Sequence, residues 1–457
     1  MDYLEVKRDD INYSYKYKDT YNLMKNAGNA IYKFIKGKFS TKTNILIVCG
    51  TGNNGGDAIY AGSLLNNEYS TNILLIKGIK GIKTYEARRA FNEYNGKYYD
   101  INSFDDLIHE ADVIVDAIFG IGIRGEPGEP YNEIINKINK SNKKIIAVDV
   151  PSGFPSNIAV KPDYTITFTD IKTGMDSSNS GEITVSNIGI PEDVLKYSGP
   201  GDLIYIKKPD VDSHKGMNGI LNFIGGFTYY GSSIISALGA YKIGIDLVKI
   251  YTKKYNYNII SSYDYSIIVR DIDEIDLNEI NKSDSLLIGP GLGLNDEYKS
   301  LLKKIIDSYN NNIILDADAL KLLKPEDLRN KKVLITPHKM EFKTFTGMDA
   351  NEENAVKFSK KYNIITVLKG PTDIITDGNK TMYTAGGNAR MTMGGTGDLL
   401  SGIISALSSK KIDLFKCGLI GTYINKRSGE LSFNDNGYYY NINDMLSNIP
   451  KILNNKI

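Results

Sequence analysis

Residues Asn44–Gly62 read NILIVCGTGNNGGDAIYAG, and the reading of this stretch decides the fold of the amino-terminal half. Ile45 to Val48 form an unbroken apolar run, the mark of a strand buried on both faces. Ala58, Ile59 and Ala61, with Leu64 and Leu65 beyond, then recur at helical spacing. Between them Gly50, Gly52 and Gly55 stand in the G-x-G-x-x-G order of a nucleotide-binding βαβ unit. A dehydrogenase built on such a loop needs an acidic residue at the end of the second strand to hold a ribose hydroxyl. Here the second run, TNILLIK, ends in Lys77, and the loop itself carries Asn53, Asn54 and Asp57. A carboxylate at that place would repel a pyrophosphate, so the residues argue against an ordinary hydride-transfer site.

Working outward, strand-like runs alternate with helical patterns from about Thr43 to Ile190, as in a parallel sheet covered on both faces. The runs are NILIVC, TNILLIK, DVIVDAIFG, KKIIAVDV and YTITF, with EITVSNIGI as an edge strand, and Tyr21 to Ile35 reads as an amphipathic helix. The stretch Pro191 to Gly216 gathers prolines, glycines and charges, and a domain boundary is expected there, between residues 205 and 206. A second α/β series follows: GILNFIGG, DLVKIYT, YSIIV, SLLIGPG, NIILDAD, KVLITPH, IITVLKG and DIITDG, the last opening a hairpin-like pair. Two α/β domains, residues 1–205 and 206–457, are therefore expected. A length of 457 residues exceeds one ordinary core and agrees with this.

Composition narrows the classes of function. With 41% hydrophobic and 24% charged residues the chain is globular, and a net charge of +1 gives no electrostatic footprint for nucleic acid. Cys49 and Cys417 are the only cysteines, which suits a reducing cytoplasm and excludes a disulfide framework; with three histidines, a His/Cys zinc site is not expected. The amino terminus lacks an apolar core after a basic start, and no apolar run approaches membrane length. A cytoplasmic homo-oligomer acting on small molecules is the expectation.

In open α/β sheets ligands bind beyond the carboxyl ends of the strands. Those ends carry Asn53, Asn54 and Asp57, then Asp116 and Asp149, in the first half. In the second they carry GPGLG from Gly289, LDADAL from Leu315, TPHKME from Thr336, KGPTD from Lys369 and GGTGDLLSG from Gly394. The last is the strongest local signal. A glycine turn opening into an apolar helix leaves free N–H groups for an anion, and Asp398 in the first turn is kept ionised by the helix dipole. A carboxylate beside a phosphate seat can accept a hydroxyl proton during phosphoryl transfer. The plainer reading of Gly-Asp is a helix cap. Likewise His338 reads as a substrate ligand or as a turn cap, and Lys369 as a nucleotide ligand or as a surface cation.

The segments KGMNGILNFIGG, YYGSSIISALGAYKIGIDLVKI, IGPGLG, LDADAL, TPHKMEF, VLKGPTDIIT and MGGTGDLLSGII resemble the ADP- or ATP-dependent NAD(P)H-hydrate dehydratases, a branch of the ribokinase-like fold. LMKNAG, GTGNNGGD, DAIFGIGIRG, AVDVPSG and GIP resemble the NAD(P)H-hydrate epimerases. In this order the two halves resemble a bifunctional NAD(P)H-hydrate repair family. The resemblance implies a Rossmann-like epimerase domain followed by a ribokinase-like dehydratase domain, with hydrated NADH and NADPH (NADHX and NADPHX) as substrates. In the first, Asn53, Asn54, Gly55, Gly56 and Asp57 would bind the hydrate. Asn54, Asp116 and Ser152 would hold K⁺, Asp149 would be the acid/base, and Gly120, Ile121, Gly122, Ile123, Arg124, Gly125 and Glu126 would close over the substrate. In the second, Lys369, Gly370, Pro371, Thr372, Asp373 and Gly397 would hold ADP or ATP. Ser232, Gly291, His338 and Asp398 would face the hydrate, with Asp398 as base and Mg²⁺ neutralising phosphate charge. The implied chemistry is phosphoryl transfer to the ring hydroxyl, then elimination driven by the ring nitrogen. Ala58, Lys25, Phe227, Ser232, Lys339 and Met340 depart from the family pattern without removing a proposed chemical group.

Two other functions share these residues. A ribokinase-like kinase of a vitamin or sugar hydroxyl, with an amino-terminal nucleotide-binding module, would use the same Gly-Thr-Gly-Asp motif, because fold does not fix substrate. Alternatively, the first domain is a non-catalytic nucleotide-binding or protein-interaction module, which would bind the hydrate without converting R to S.

Overall fold

A computed structural model describes residues 1–122 and 125–454. The chain divides into two compact units, Met1–Leu195 and Lys196–Ile457. The division precedes the boundary expected at 205/206 because the intervening stretch is not a free linker. Tyr197 forms a β-bridge with Tyr383, the Ser198 hydroxyl donates to Thr384 Oγ1 at 2.8 Å, and Leu203 and Ile206 are buried in the second unit's core.

The first unit holds a seven-stranded parallel sheet in the order β3-β2-β1-β4-β5-β6-β7. The strands are β1 (Asn44–Cys49), β2 (Ser70–Leu75), β3 (Lys97–Asp100), β4 (Val113–Ala117), β5 (Lys144–Val148), β6 (Tyr164–Phe168) and β7 (Glu182–Ser186). Alternation along β1 separates two cores. Ile45, Ile47 and Cys49 pack with helices α2 (Tyr21–Lys38) and α3 (Asn53–Leu65), whereas Leu46 and Val48 pack with Phe104, Leu107 and Ile134 on the other face. Ahead of these lies α1 (Tyr3–Tyr17), opened by a capping box in which the Asp2 carboxylate accepts from the Glu5 N–H at 2.7 Å.

The second unit holds nine strands in the order β10-β9-β8-β11-β12-β13-β14-β15-β16. These are β8 (Ile220–Ile224), β9 (Leu247–Thr252), β10 (Ile268–Asp271), β11 (Ser285–Ile288), β12 (Asn312–Leu315), β13 (Val333–Ile335), β14 (Ile364–Leu368), β15 (Asp373–Thr376) and β16 (Thr381–Thr384). Pairing is parallel up to β14; β15 and β16 form the antiparallel hairpin at the edge. Leu221, Phe223 and Leu287 face a core shared with helices Tyr230–Lys242 and Thr396–Ser409, and Leu286, Ile288 and Ile335 face Leu302 and Phe342 on the other side.

In each sheet the chain order reverses between the strand that starts it and a neighbour, at β1/β4 and at β8/β11. Loops leaving such a pair turn to opposite faces and open a crevice between them. At the first, the turn after β1 approaches the turn after β4 so closely that a Cβ on Gly50 would lie 1.8 Å from the Ile118 carbonyl oxygen. Gly50→Ala is therefore expected to destabilise the first unit by about 1–3 kcal/mol. Urea unfolding of the whole chain should show an earlier first-unit transition with the second unchanged; a first transition at the parent midpoint would contradict this packing.

Candidate functional site

At the first crevice, α3 begins at Asn53 with Gly52 as its cap. Asn54 Nδ2 donates to the Phe119 carbonyl oxygen at 3.0 Å. Asp116, at the end of β4, is fully buried and accepts from the Ser152 hydroxyl at 2.5 Å, the Ser152 N–H at 2.8 Å and the Ile118 N–H at 3.3 Å. The Ser152 oxygen accepts in turn from the Phe119 N–H at 2.9 Å. Three residues distant in sequence thus share one knot. Burial pushes the Asp116 carboxyl up to about 6 against the lowering effect of these neutral donors.

Asp149 follows β5 with φ +65°, a left-handed backbone that an aspartate adopts rarely and that is found at functional sites. Its Oδ1 lies 2.6 Å from the ammonium of Lys172, which is 2% exposed and also donates to Thr167 Oγ1 at 2.9 Å and the Phe168 carbonyl at 2.7 Å. Its Oδ2 faces Gly120, at 3.6 Å from where a Cβ would stand, and Asn54 lies beside the same glycine. Asp57 sits on the second turn of α3, not at its start. Burial, then the charges of Asp149 and Asp10, hold its carboxyl well above the usual range. Burial together with Asp9 and Asp149 also raises Asp10, to about 6. Asn53, Gly122, Gly125 and Glu126 are exposed, Ile121 is half-buried, and Gly55 and Gly56 are buried. Ile123 and Arg124 lie outside the described residues.

At the second crevice, helix Thr396–Ser409 starts from Gly395 at φ +95°, with Asp398 in its first turn. Lys369, just beyond β14, places its ammonium 2.9 Å from Asp316 Oδ1 and 3.7 Å from Glu341 Oε2. Gly397 packs against both members of the first pair, since a Cβ there would lie 3.4 Å from Lys369 Nζ and 3.9 Å from Asp316 Oδ2. Burial disfavours the Lys369 ammonium, but Asp316 and Glu341 outweigh it, so its pKa is raised and it stays charged. Asp398 is pushed up to about 6, by burial first and by Asp316 second, while a hydrogen bond from Ser232 and the charge of Lys369 pull it down. Gly291, at φ +68°, brings the turn after β11 against Tyr229 and Ser232: a Cβ there would stand 2.1 Å from the Tyr229 carbonyl oxygen and 3.1 Å from Ser232 Cβ.

His338 caps helix Lys339–Thr346, its Nδ1 accepting from the N–H groups of Met340 at 3.1 Å and Glu341 at 3.2 Å. A backbone bridge sets it beside Lys369. Pro371 and Thr372 are exposed, and Asp373 is buried, accepting from the Gly370 N–H at 2.9 Å. The structure thus joins Lys369, Gly397, Asp398 and Ser232 in one cluster, with Gly291 adjoining through Ser232 and His338 through Lys369.

Sequence reading missed four members of these surroundings. Lys172 lies past the strand YTITF in a stretch without periodic signal, and Asp10 belongs to α1, where no helix was expected. Asp316 was visible in LDADAL but was given no role, and Glu341 becomes significant only once Lys369 is seen beside it.

Family models match both units: residues 221–451 fit the NAD(P)H-hydrate dehydratase model and residues 20–174 the YjeF-related protein amino-terminal model. The bifunctional NAD(P)H-hydrate repair enzyme of Methanocaldococcus jannaschii is 34% identical over 94% of this chain and 89% of its own. The enzyme of the same name from Archaeoglobus fulgidus is 32% identical over 94% and 93%, and that of Coxiella burnetii 30% over 91% of each. Among solved structures, an ADP/ATP-dependent NAD(P)H-hydrate dehydratase from Bacillus subtilis, co-crystallised with ATP and Mg²⁺, matches 57% of this chain and 99% of that one with TM-score 0.52 at 22% identity. A ribokinase-like superfamily protein from Enterococcus faecalis matches 57% and 96% with TM-score 0.53 at 24% identity. These two likenesses establish the fold of the second unit, and the full-length relatives establish more: the chain belongs to the bifunctional NAD(P)H-hydrate repair enzyme family.

Proposed function

We infer that the chain performs both reactions of its family. The first unit epimerises the R and S forms of hydrated NADH and NADPH; the second dehydrates the S form with ADP or ATP as co-substrate. The observation that carries this is the pairing of full-length similarity to bifunctional relatives, over 94% of the chain, with two assembled strand-end clusters, one per unit.

In the second unit Asp398 accepts the proton of the ring hydroxyl as that oxygen attacks the terminal phosphoryl group. Lys369, kept charged by Asp316 and Glu341, supplies positive potential beside the phosphates, and the loop Lys369–Asp373 with Gly397 seats the nucleotide. Ser232, Gly291 and His338 face the hydrated ring. The ring nitrogen then expels the phosphate from carbon, and loss of the neighbouring ring proton restores the reduced nicotinamide. ADP would leave as AMP. Among the described residues no group of three His, Cys, Asp or Glu is placed to hold a metal. That fits Mg²⁺ arriving on the nucleotide and taking one or two carboxylates, where it would neutralise phosphate charge.

In the first unit Asp149 is the acid/base and Lys172 holds it. Asn53 to Asp57 and the Gly120–Glu126 segment would surround the hydrate. Asn54, Asp116 and Ser152 fit K⁺, because each offers a hard oxygen, and among the described residues the hydrogen bonds to buried Asp116 come from the neutral groups of Ser152 and Ile118. Such an ion would fix the turns after β1, β4 and β5 around the substrate. The two cysteines are free and buried, in keeping with a cytoplasmic setting, and no helix among the described residues is long and apolar enough to cross a membrane.

An asymmetric pair of variants tests the division of labour. Asp398→Asn should lower nucleotide-dependent recovery of the near-ultraviolet absorbance from S hydrate by at least about 10²-fold while epimerisation continues; dehydration at the parent rate would contradict the role of Asp398. Asp149→Asn should slow use of the R hydrate alone, and loss of S-hydrate dehydration in that folded variant would contradict separate sites.

The base must be ionised, and its carboxyl stands at about 6. Dehydration kcat/KM should therefore be level above that pH and fall about tenfold per unit below it. A profile flat down to pH 5 would exclude Asp398 as the titrating base.

A further inference from the structure

The helix Leu414–Asn436 reaches the loops of the second site between Lys426 and Glu430. Lys426, 7% exposed, donates from Nζ to the carbonyl oxygens of Gly370 at 3.0 Å and Pro371 at 2.7 Å, and lies 3.6 Å from Asp373 Oδ2. Asp373 already accepts from the Gly370 N–H through its other oxygen, so the ammonium completes a closed ring across the loop Lys369–Asp373. One turn further along the helix, the Gly429 carbonyl accepts from Asn388 Nδ2 at 2.9 Å and Glu430 Oε1 accepts from the Gly387 N–H at 3.0 Å. The same helical face therefore also ties down the segment leading into Gly394–Asp398.

This arrangement is more than packing requires. A buried ammonium is expensive unless all its hydrogens are met, and an apolar side chain of similar length would fill the space at lower cost. What Lys426 adds is control of direction. Carbonyl oxygens held on an ammonium are not presented to an incoming polyphosphate, which they would repel. Lys369 cannot do this work, because its ammonium is engaged by Asp316.

We propose that Lys426 is a positioning residue for the adenine nucleotide, clamping the Lys369–Asp373 loop in its binding shape from the carboxyl-terminal helix. The proposal rests on the reading of that loop as the nucleotide seat. It assigns Lys426 no contact with the hydrated substrate and no part in the first unit.

The test uses the full chain and its variants Lys426→Met, Lys426→Gln, Lys426→Arg and Lys369→Met. Dehydration of S hydrate is measured against ADP or ATP at fixed Mg²⁺, with thermal unfolding recorded with and without nucleotide. Lys426→Met should raise the nucleotide KM roughly tenfold, the effect of losing hydrogen bonds to a charged group. Its kcat should stay within about twofold, its KM for S hydrate should be unchanged, and the nucleotide-induced rise in Tm should shrink. Lys426→Arg, which keeps donors for both carbonyls, should recover most of the loss. A parent-like nucleotide KM in Lys426→Met, with a raised one in Lys369→Met, would overturn the proposal and leave the nucleotide seat standing. Parent-like values in both would overturn the seat as well. A fall in kcat and a rise in both KM values together would show a general folding role and overturn the proposal. If Lys426→Met does not fold, Lys426→Gln decides by the same comparison.

Discussion

A lysine taken out of water must be met by a carboxylate, and that requirement arranges the chemistry of both units. Lys172 is 2% exposed, and Asp149, Thr167 and the Phe168 carbonyl surround its side-chain nitrogen. The pair fixes which oxygen of Asp149 is spent on the lysine and which faces Gly120, and it accompanies the left-handed backbone at Asp149. In the second unit the corresponding pair is Lys369 with Asp316. There the carboxylate of the pair acts on a third group: its negative charge reinforces burial in raising Asp398, while Lys369 and Ser232 pull the other way. The outcome is a carboxyl poised near 6, able to be ionised at neutral pH yet basic enough to take a proton.

Topology decides where such pairs can form. Both sheets reverse strand order, at β1/β4 and β8/β11, and loops that diverge at such a point open a crevice for a ligand. Glycines make the approach possible where it matters. Gly50 lets the turns after β1 and β4 touch, and Gly291 lets the turn after β11 lie on Tyr229. The chemistry differs between the units because the first crevice is built around a buried carboxylate with neutral donors, Asp116, and the second around a charged lysine at a helix start.

Much of this was legible in the sequence because parallel strands, buried on both faces, read as apolar runs. NILIVC and SLLIGPG contain β1 and β11, and EITVSNIGI contains the edge strand β7. The missed elements lack that signal for physical reasons. α1 buries Arg8, Asp9, Asn12 and Tyr13 rather than an apolar stripe, with the Arg8 guanidinium on Asp9 at 2.6 Å and on the Leu195 carbonyl at 3.1 Å. β3, KYYD, is an edge strand with no buried position and no alternation. Motif residues could be named singly, but their partners could not. Lys172 reaches Asp149 across 23 positions of chain and Lys426 reaches Gly370 across 56, distances no local pattern spans. His338 shows the opposite limit: its Nδ1 serves as a helix cap, as the plainer reading of TPHKME had it, while its place beside Lys369 keeps it at the site.

One chain carries the units for both steps of a repair sequence, epimerisation and dehydration. The most direct test is the end point of the near-ultraviolet absorbance when purified protein is given mixed R and S hydrates with Mg²⁺, K⁺ and ADP or ATP. Two working sites predict full recovery of the reduced nicotinamide at a rate well above that of spontaneous epimerisation. A plateau at the S fraction, followed by a rise no faster than the uncatalysed reaction, would contradict the account.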